Sequence, residues 1–221
     1  MDGYFHQDIQ AGNIVCWPTN LGWMMGPWLI FATLINRGIL ALYYGAPTNE
    51  EFGSFVEKAE INVLGLVPSI VKAWKKSKCM EDKNWEHIKC FSSTGECSNA
   101  EDYSYLMHLA NYKPVIEYCG GTEIGGGYIT GTLLHNASPA TFTTPTLGLD
   151  IELLDENNKT AQEGEAFIVP PSLGLSETLL NRDHHEVYFK NTKTSSNGRP
   201  LRRHGDQLER TAGQFYKALG R

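Results

Sequence analysis

The sequence predicts an α/β protein: a parallel sheet with crossover helices, followed by a small, mostly-β subdomain. Three observations carry this expectation. Short apolar runs alternate with helical stretches over the first two thirds, the pattern of strands joined by crossover helices. Several of the helices open on start signals. The last third then changes to short strand-like runs separated by turns. The expected boundary divides residues 1–148 from 149–221.

Asn13 to Trp17 reads as a buried strand, followed by a loop and a buried helix opening near Pro27, where proline is tolerated in the first turn. Leu21 to Ile35 is apolar enough to raise a membrane helix, but Gly22, Gly26 and Pro27 break it up. Ile39 to Tyr43 is the next strand. Thr48 with Glu51 fits a capping box for the helix after it. Asn62 to Val67 is a strand, and Pro68 opens a helix through Ile70, Val71 and Trp74. Ile88 to Ser92 is a strand, Ser98 with Glu101 makes a second capping box for a helix reaching about Asn111, and Val115 to Tyr118 is a strand. In the last third, Leu149–Leu154, Ala166–Val169, Val187–Lys190 and Gln214–Lys217 read as short strands. Trp17, Trp23 and Trp28 read as core.

Composition narrows the function. The 221 residues are 41% hydrophobic and 20% charged, a globular mixture with a net charge of −6. An acidic chain with only short basic clusters is a poor grip for nucleic acid, so no nucleic-acid partner is expected. Five cysteines without a C-x-x-C pair indicate neither a disulfide framework nor a zinc site. No signal peptide and no transmembrane segment are expected. Asp183-His184-His185-Glu186 has the composition of a metal site, but adjacent side chains on a strand point to opposite faces, and a surface loop is expected there.

Open parallel sheets bind ligands at the carboxyl ends of their strands. Three strands here run into unusual loops: Val67-Pro68-Ser69, Ser93-Thr94-Gly95-Glu96, and the stretch from Cys119 to Gly127. All three should emerge on one edge. The last has five glycines between Gly120 and Gly127, so its backbone can approach a ligand closely. Thr122 and Glu123 are its polar side chains; a hydroxyl beside a carboxylate suits a phosphate oxygen and Mg²⁺. Cys119 has no base beside it and does not read as a nucleophile.

With Trp17-Pro18-Thr19-Asn20-Leu21-Gly22-Trp23, Arg203-His204-Gly205-Asp206 and Gly220-Arg221, these loops resemble the AMP-forming acyl-activating enzymes, in particular the plant acetyl-CoA-synthetase-like branch. The resemblance implies part of the large N-terminal domain of the adenylate-forming fold, with 1–148 as a nucleotide- and acyl-binding subdomain and 149–221 a β-rich subdomain ending at the hinge. It implies an acid–thiol ligase using ATP and Mg²⁺, with CoA as co-substrate and a small carboxylic acid as partner. Gly95 and Glu96 would border the adenine, with the backbone at Glu117 and Tyr118 along its other edge. Thr122 would bond the α-phosphate, Glu123 would help hold Mg²⁺, Asp206 would accept both ribose hydroxyls and Arg221 would reach the ribose side. Thr122 and Glu123 are the catalytic pair in this scheme. Trp23, Met24, Met25, Thr94 and Gly120 would line the acyl pocket, where Gly120 replaces the bulky tryptophan of acetate-specific relatives, so medium-chain or arylalkanoic acids should suit it better than acetate.

The family's phosphate loop and its C-terminal domain with the adenylating lysine are not found in the chain. The expectation is therefore an internal fragment, inactive alone, with apolar faces exposed where other parts would pack. A non-catalytic nucleotide-binding remnant is the alternative. A nicotinamide-dependent oxidoreductase fits poorly, because its glycine fingerprint should follow the first strand. The plant relatives imply a peroxisomal location, with cytoplasm as the alternative; the chain ends in Ala218-Leu219-Gly220-Arg221, not Ser-Lys-Leu.

Overall fold

A computed structural model describes residues 1–195 and 197–220. The chain begins with a short helix, α1 (Asp2–Phe5), then β1 (Ile14–Cys16), α2 (Met25–Ile35), β2 (Ile39–Ala41), α3 (Glu50–Lys58), β3 (Val63–Leu66), α4 (Pro68–Ser77), β4 (Cys90–Ser93) and α5 (Ala100–Leu109). Next come β5 (Val115–Gly121), a single 3-10 turn (Thr122–Ile124), β6 (Gly126–Thr130) and β7 (Thr144–Pro145). These strands form one sheet in the order β2-β1-β3-β4-β5-β6-β7. The pairs from β2 through β5 are parallel, while β6 and β7 return antiparallel. The remaining elements are β8 (Ile151–Leu154), β9 (Glu163–Ile168), the helix α6 (His184–Tyr188), β10 (Arg202–Arg210) and β11 (Tyr216–Gly220). Its four strands make an antiparallel sheet ordered β11-β10-β9-β8.

The mixed α/β reading holds, with local corrections. Asn49 caps α3, accepting from the Phe52 N–H, and Asn99 caps α5, accepting from the Glu101 and Asp102 N–H groups. The side-chain amide oxygen one residue on is better placed than Thr48 or Ser98. Val187–Lys190 is not a strand: Asp183 accepts from the Glu186 N–H and starts α6 there. Trp17 and Trp28 are core and meet edge to face at 5.6 Å, but Trp23 is 71% exposed. Among the described residues, no helix is long and apolar enough to cross a membrane.

Parallel strands buried on both faces need apolar runs, and β3 supplies one in which all four residues are buried. Within it, a Cβ on Gly65 would lie 1.9 Å from Cδ2 of the Trp17 indole. The indole lies flat on the strand because that position has no side chain. Gly65→Ala is therefore expected to cost about 1–3 kcal/mol or more through overpacking, read as a fall in the thermal midpoint; an unchanged midpoint would refute the close approach.

The outer side of α2 is less well covered. Phe31, Leu34 and Ile35 are exposed, as are Leu42 and Tyr44 beyond the edge strand β2. The two sheets, by contrast, share a core: Tyr128 and Ile129 of β6, with Ile124 of the 3-10 turn and Phe142 ahead of β7, pack with Leu153, Ala166, Ile168 and Leu208 from the second sheet. The amino-terminal helix is pinned to the same region. Asp2 accepts from the Tyr118 hydroxyl at 2.7 Å and the Gly127 N–H at 3.0 Å. His6, 1% exposed, lies 3.1 Å from the Gly131 carbonyl through Nδ1, and its Nε2 accepts the Leu147 N–H at 3.0 Å. That pairing assigns the neutral tautomer with the proton on Nδ1.

Candidate functional site

Because β3, β4 and β5 are parallel neighbours, their carboxyl ends open on one edge, as the motifs require. Beyond β3, Pro68 starts α4 and leaves the Ser69 N–H pointing out of its first turn. Glu96, from the loop beyond β4, captures that group: it accepts from Ser69 N and from Ser69 Oγ, both at 2.9 Å. Glu96 thus ties two of the three loops together. Gly95 beside it sits at φ +95°, where a Cβ would meet only ordinary van der Waals contact, so its backbone conformation is what favours glycine.

Glu117 lies near the end of the parallel part of β5 and is 4% exposed. Ser98 Oγ donates to its Oε2 at 2.9 Å, and the same hydroxyl is 3.0 Å from the Tyr103 hydroxyl, which also bonds Ser93. Its Oε1 is buried with no hydrogen-bond partner. Burial pushes the carboxyl up to about 8, against the opposing pull of the Ser98 hydrogen bond. At neutral pH this is mainly a neutral acid.

Past Tyr118, β5 folds back through the 3-10 turn into β6, so that Gly120 and Gly121 face Gly127 and Gly126. A Cβ on Gly120 would fall 2.0 Å from the Gly126 carbonyl oxygen. The glycine is needed for two backbones to touch. Thr122 and Glu123 protrude at the tip, both exposed, while Ile124 is buried below them. The Glu123 carbonyl accepts from the Ser176 N–H at 2.8 Å, holding the tip against the segment that follows β9.

A cavity of about 460 Å³ lies between α2 and this hairpin, lined among others by Met24, Pro27, Trp28, Phe31 and Thr122. Of the five residues expected at an acyl pocket, Met24 alone is on its wall. Met25 is packed in the core with Trp17 and Trp28, Trp23 faces solvent, and Thr94 and Gly120 lie elsewhere.

Asp206 comes from the second sheet and meets the first. Between Arg203 and Gln207 the register of β10 against β9 slips, and three residues, His204, Gly205 and Asp206, stand where one would. Gly205 is at φ +98°, the conformation that the bulge needs. Asp206 Oδ2 accepts from the Tyr128 hydroxyl at 3.1 Å and the Cys119 thiol at 3.3 Å, and lies 2.9 Å from His204 Nε2. Burial raises the carboxyl, but His204, Cys119 and Tyr128 together outweigh it and hold Asp206 below the usual carboxylate range. Arg221, also expected here, lies outside the described residues.

Sequence reasoning gave Ser98 only a helix-capping role, assigned no site role to Tyr128 or His204, and passed over Arg202. Arg202 is 1% exposed, its guanidinium 3.8 Å above the Tyr188 ring. The signal for Tyr128 was present: the glycines before it imply a return strand whose first large residue must face the core. Arg202 had no such signal, because a charged residue in a charged run reads as surface.

No family model matches the chain. Individual proteins do. It is 49% identical to a probable peroxisomal acyl-activating enzyme of Arabidopsis thaliana and 48% identical to a hexanoyl-CoA synthase of Cannabis sativa. Each match covers 100% of this chain and 31% of the relative, so the chain spans about a third of the length of these curated relatives. Among solved structures, an acetoacetyl-CoA synthetase from Streptomyces lividans superposes with a TM-score of 0.86 at 21% identity, over 100% of this chain and 35% of that one, which establishes the shared fold. From end to end, the chain is homologous to one stretch of the acyl-activating enzymes.

Proposed function

We propose that this chain supplies the nucleotide and acyl site of an AMP-forming acid–CoA ligase. The observation that carries the reading is the meeting of two sheets at one place: the glycine hairpin with Thr122 and Glu123 at its tip, and Asp206 held against its stem by Cys119 and Tyr128. Such a ligase works in two steps. A substrate carboxylate oxygen attacks the α-phosphorus of ATP and pyrophosphate leaves; the CoA sulfur then attacks the acyl carbon and AMP leaves.

This chain's residues divide the binding work. Gly95 and Glu96 border the adenine, with the backbone at Glu117 and Tyr118 on its other edge; the Glu96–Ser69 bonds fix that wall. Asp206, kept ionised, accepts the two ribose hydroxyls through charge-assisted bonds. The Thr122 hydroxyl donates to an α-phosphate oxygen. An exposed carboxylate beside a hydroxyl is an oxygen donor set that fits Mg²⁺, so Glu123 would help hold the cation. Bound there with the nucleotide, Mg²⁺ would neutralise phosphate charge.

The acid is a medium-chain or arylalkanoic one in preference to acetate. The cavity beside Thr122 is walled by Met24, Pro27, Trp28 and Phe31, and its volume leaves room for several methylenes, each worth about 0.8 kcal/mol on burial. This support is independent of Gly120. The name of the Arabidopsis relative carries a peroxisomal location, and we extend that location to the protein represented by this chain.

Calorimetric titration of the purified chain with AMP and with Mg-ATP tests the nucleotide site. Saturable 1:1 binding is expected; a folded chain that binds neither nucleotide would sink the reading.

A further inference from the structure

The residues around Asp206 also form a set that the nucleotide reading does not use. Cys119 Sγ, a nitrogen of His204 and a carboxylate oxygen of Asp206 all lie within 4.8 Å of one another, the one such group of three found among the described residues. Cysteine spacing in the sequence gave no hint of it, because the thiol comes from β5 and the other two groups from the bulge of β10. A tetrahedral zinc ion with bonds of about 2.0–2.3 Å sets its ligand atoms roughly 3.3–3.8 Å apart, close to the present spacing.

His204 is held in place within the cluster. Its side chain is 7% exposed, and its Nε2 faces the cluster, pairing with Asp206 Oδ2 at 2.9 Å. The Tyr128 ring packs on the imidazole at 4.1 Å and keeps it there. A buried imidazole nitrogen directed at a thiol and a carboxylate is placed as a metal ligand is.

We propose that Cys119, His204 and Asp206 bind a thiophilic divalent cation, Zn²⁺ by chemical class. Imidazole and thiolate select zinc over the hard cations that accompany nucleotides. As the sulfur–metal bond forms, the Cys119 S–H proton leaves to solvent and no electron moves. One thiolate and one carboxylate then balance the two positive charges, and water completes the fourth position. With the metal in place Asp206 Oδ2 is a ligand, so ribose and cation exclude each other. That antagonism rests on the ribose role proposed for Asp206; the metal site itself does not.

Titration of the whole chain with Co²⁺, without nucleotide, tests the site. A near-ultraviolet thiolate-to-cobalt band is expected to saturate at one equivalent and to disappear on adding Zn²⁺. It should be lost in Cys119→Ser, weakened in His204→Gln and unchanged in Cys97→Ser, each variant checked for folding by circular dichroism. No band, or one that survives in folded Cys119→Ser, would overturn the site. AMP should reverse the band in competition. If AMP and Co²⁺ bind together, the antagonism falls; if AMP fails to bind the metal-depleted chain, the nucleotide reading falls while the metal site stands.

Discussion

Replacing Asp206 with alanine is expected to weaken AMP binding about 100-fold, equivalent to about 2.7 kcal/mol. The figure is a lower bound from the chemistry: one carboxylate accepts two hydroxyls, and even one hydrogen bond to a charged group contributes about 1.5–3 kcal/mol. The same carboxylate also accepts from Tyr128 and Cys119 inside the protein. Alanine leaves the buried Tyr128 hydroxyl without this acceptor, so about 1–3 kcal/mol of stability should be lost as well. Asp206→Asn separates the two effects. Its amide oxygen still accepts from Tyr128, so the chain should melt close to the parent, while loss of the charge alone should cost about tenfold in AMP affinity. Calorimetry with AMP and thermal melts on the three proteins give both readings. Parent-like AMP affinity in folded Asp206→Ala would remove the ribose role.

The second large effect belongs to Glu117. Its carboxyl is raised by burial from 4.5 to about 8. A raised acid holds its proton in the native state after the unfolded chain has released it. Stability is therefore full below the unfolded value, falls as pH rises through the window between the two, and is lowest above about pH 8. At about 1.4 kcal/mol per pH unit, the fall is on the order of 3–5 kcal/mol. Glu117→Gln keeps the shape, can still accept from Ser98 and cannot ionise. Urea midpoints measured from about pH 5 to pH 8 should decline in the parent and stay nearly level in the variant, which becomes the more stable protein at the alkaline end. Equal slopes in the two proteins would show that Glu117 does not carry the effect.

The parts of this fold that were legible in the sequence are those governed by local rules. Pro68 marked the start of α4, the run from Asn62 to Val67 marked the strand found at Val63–Leu66, and the glycines after Tyr118 marked a stretch of little side-chain bulk. What escaped was governed by distant partners. Nothing in Arg202-Arg203-His204-Gly205-Asp206 alternates in hydrophobicity, so β10, which pairs with both β9 and β11, was invisible. Its burial comes from Tyr188, Tyr128 and Phe167, which are remote in sequence. The surroundings of Gly120 also depend on a distant partner. Only the hairpin geometry shows that a side chain at Gly120 would strike the Gly126 carbonyl.

The bulge on β10 has a further consequence for how this region can change. Three residues stand opposite one, so the excursion adds two residues, an even number. Side chains alternate with a period of two, so the strand resumes with its inner and outer faces unexchanged; Arg202 before the bulge and Leu208 after it are both buried. Deleting one residue there would turn Leu208 outward and scramble the shared core, whereas removing two would straighten the strand and erase His204-Gly205-Asp206 as a unit. Ligand chemistry and scaffold are thus separately heritable at this position: a descendant could discard the whole site in a single two-codon loss and still inherit an intact sheet.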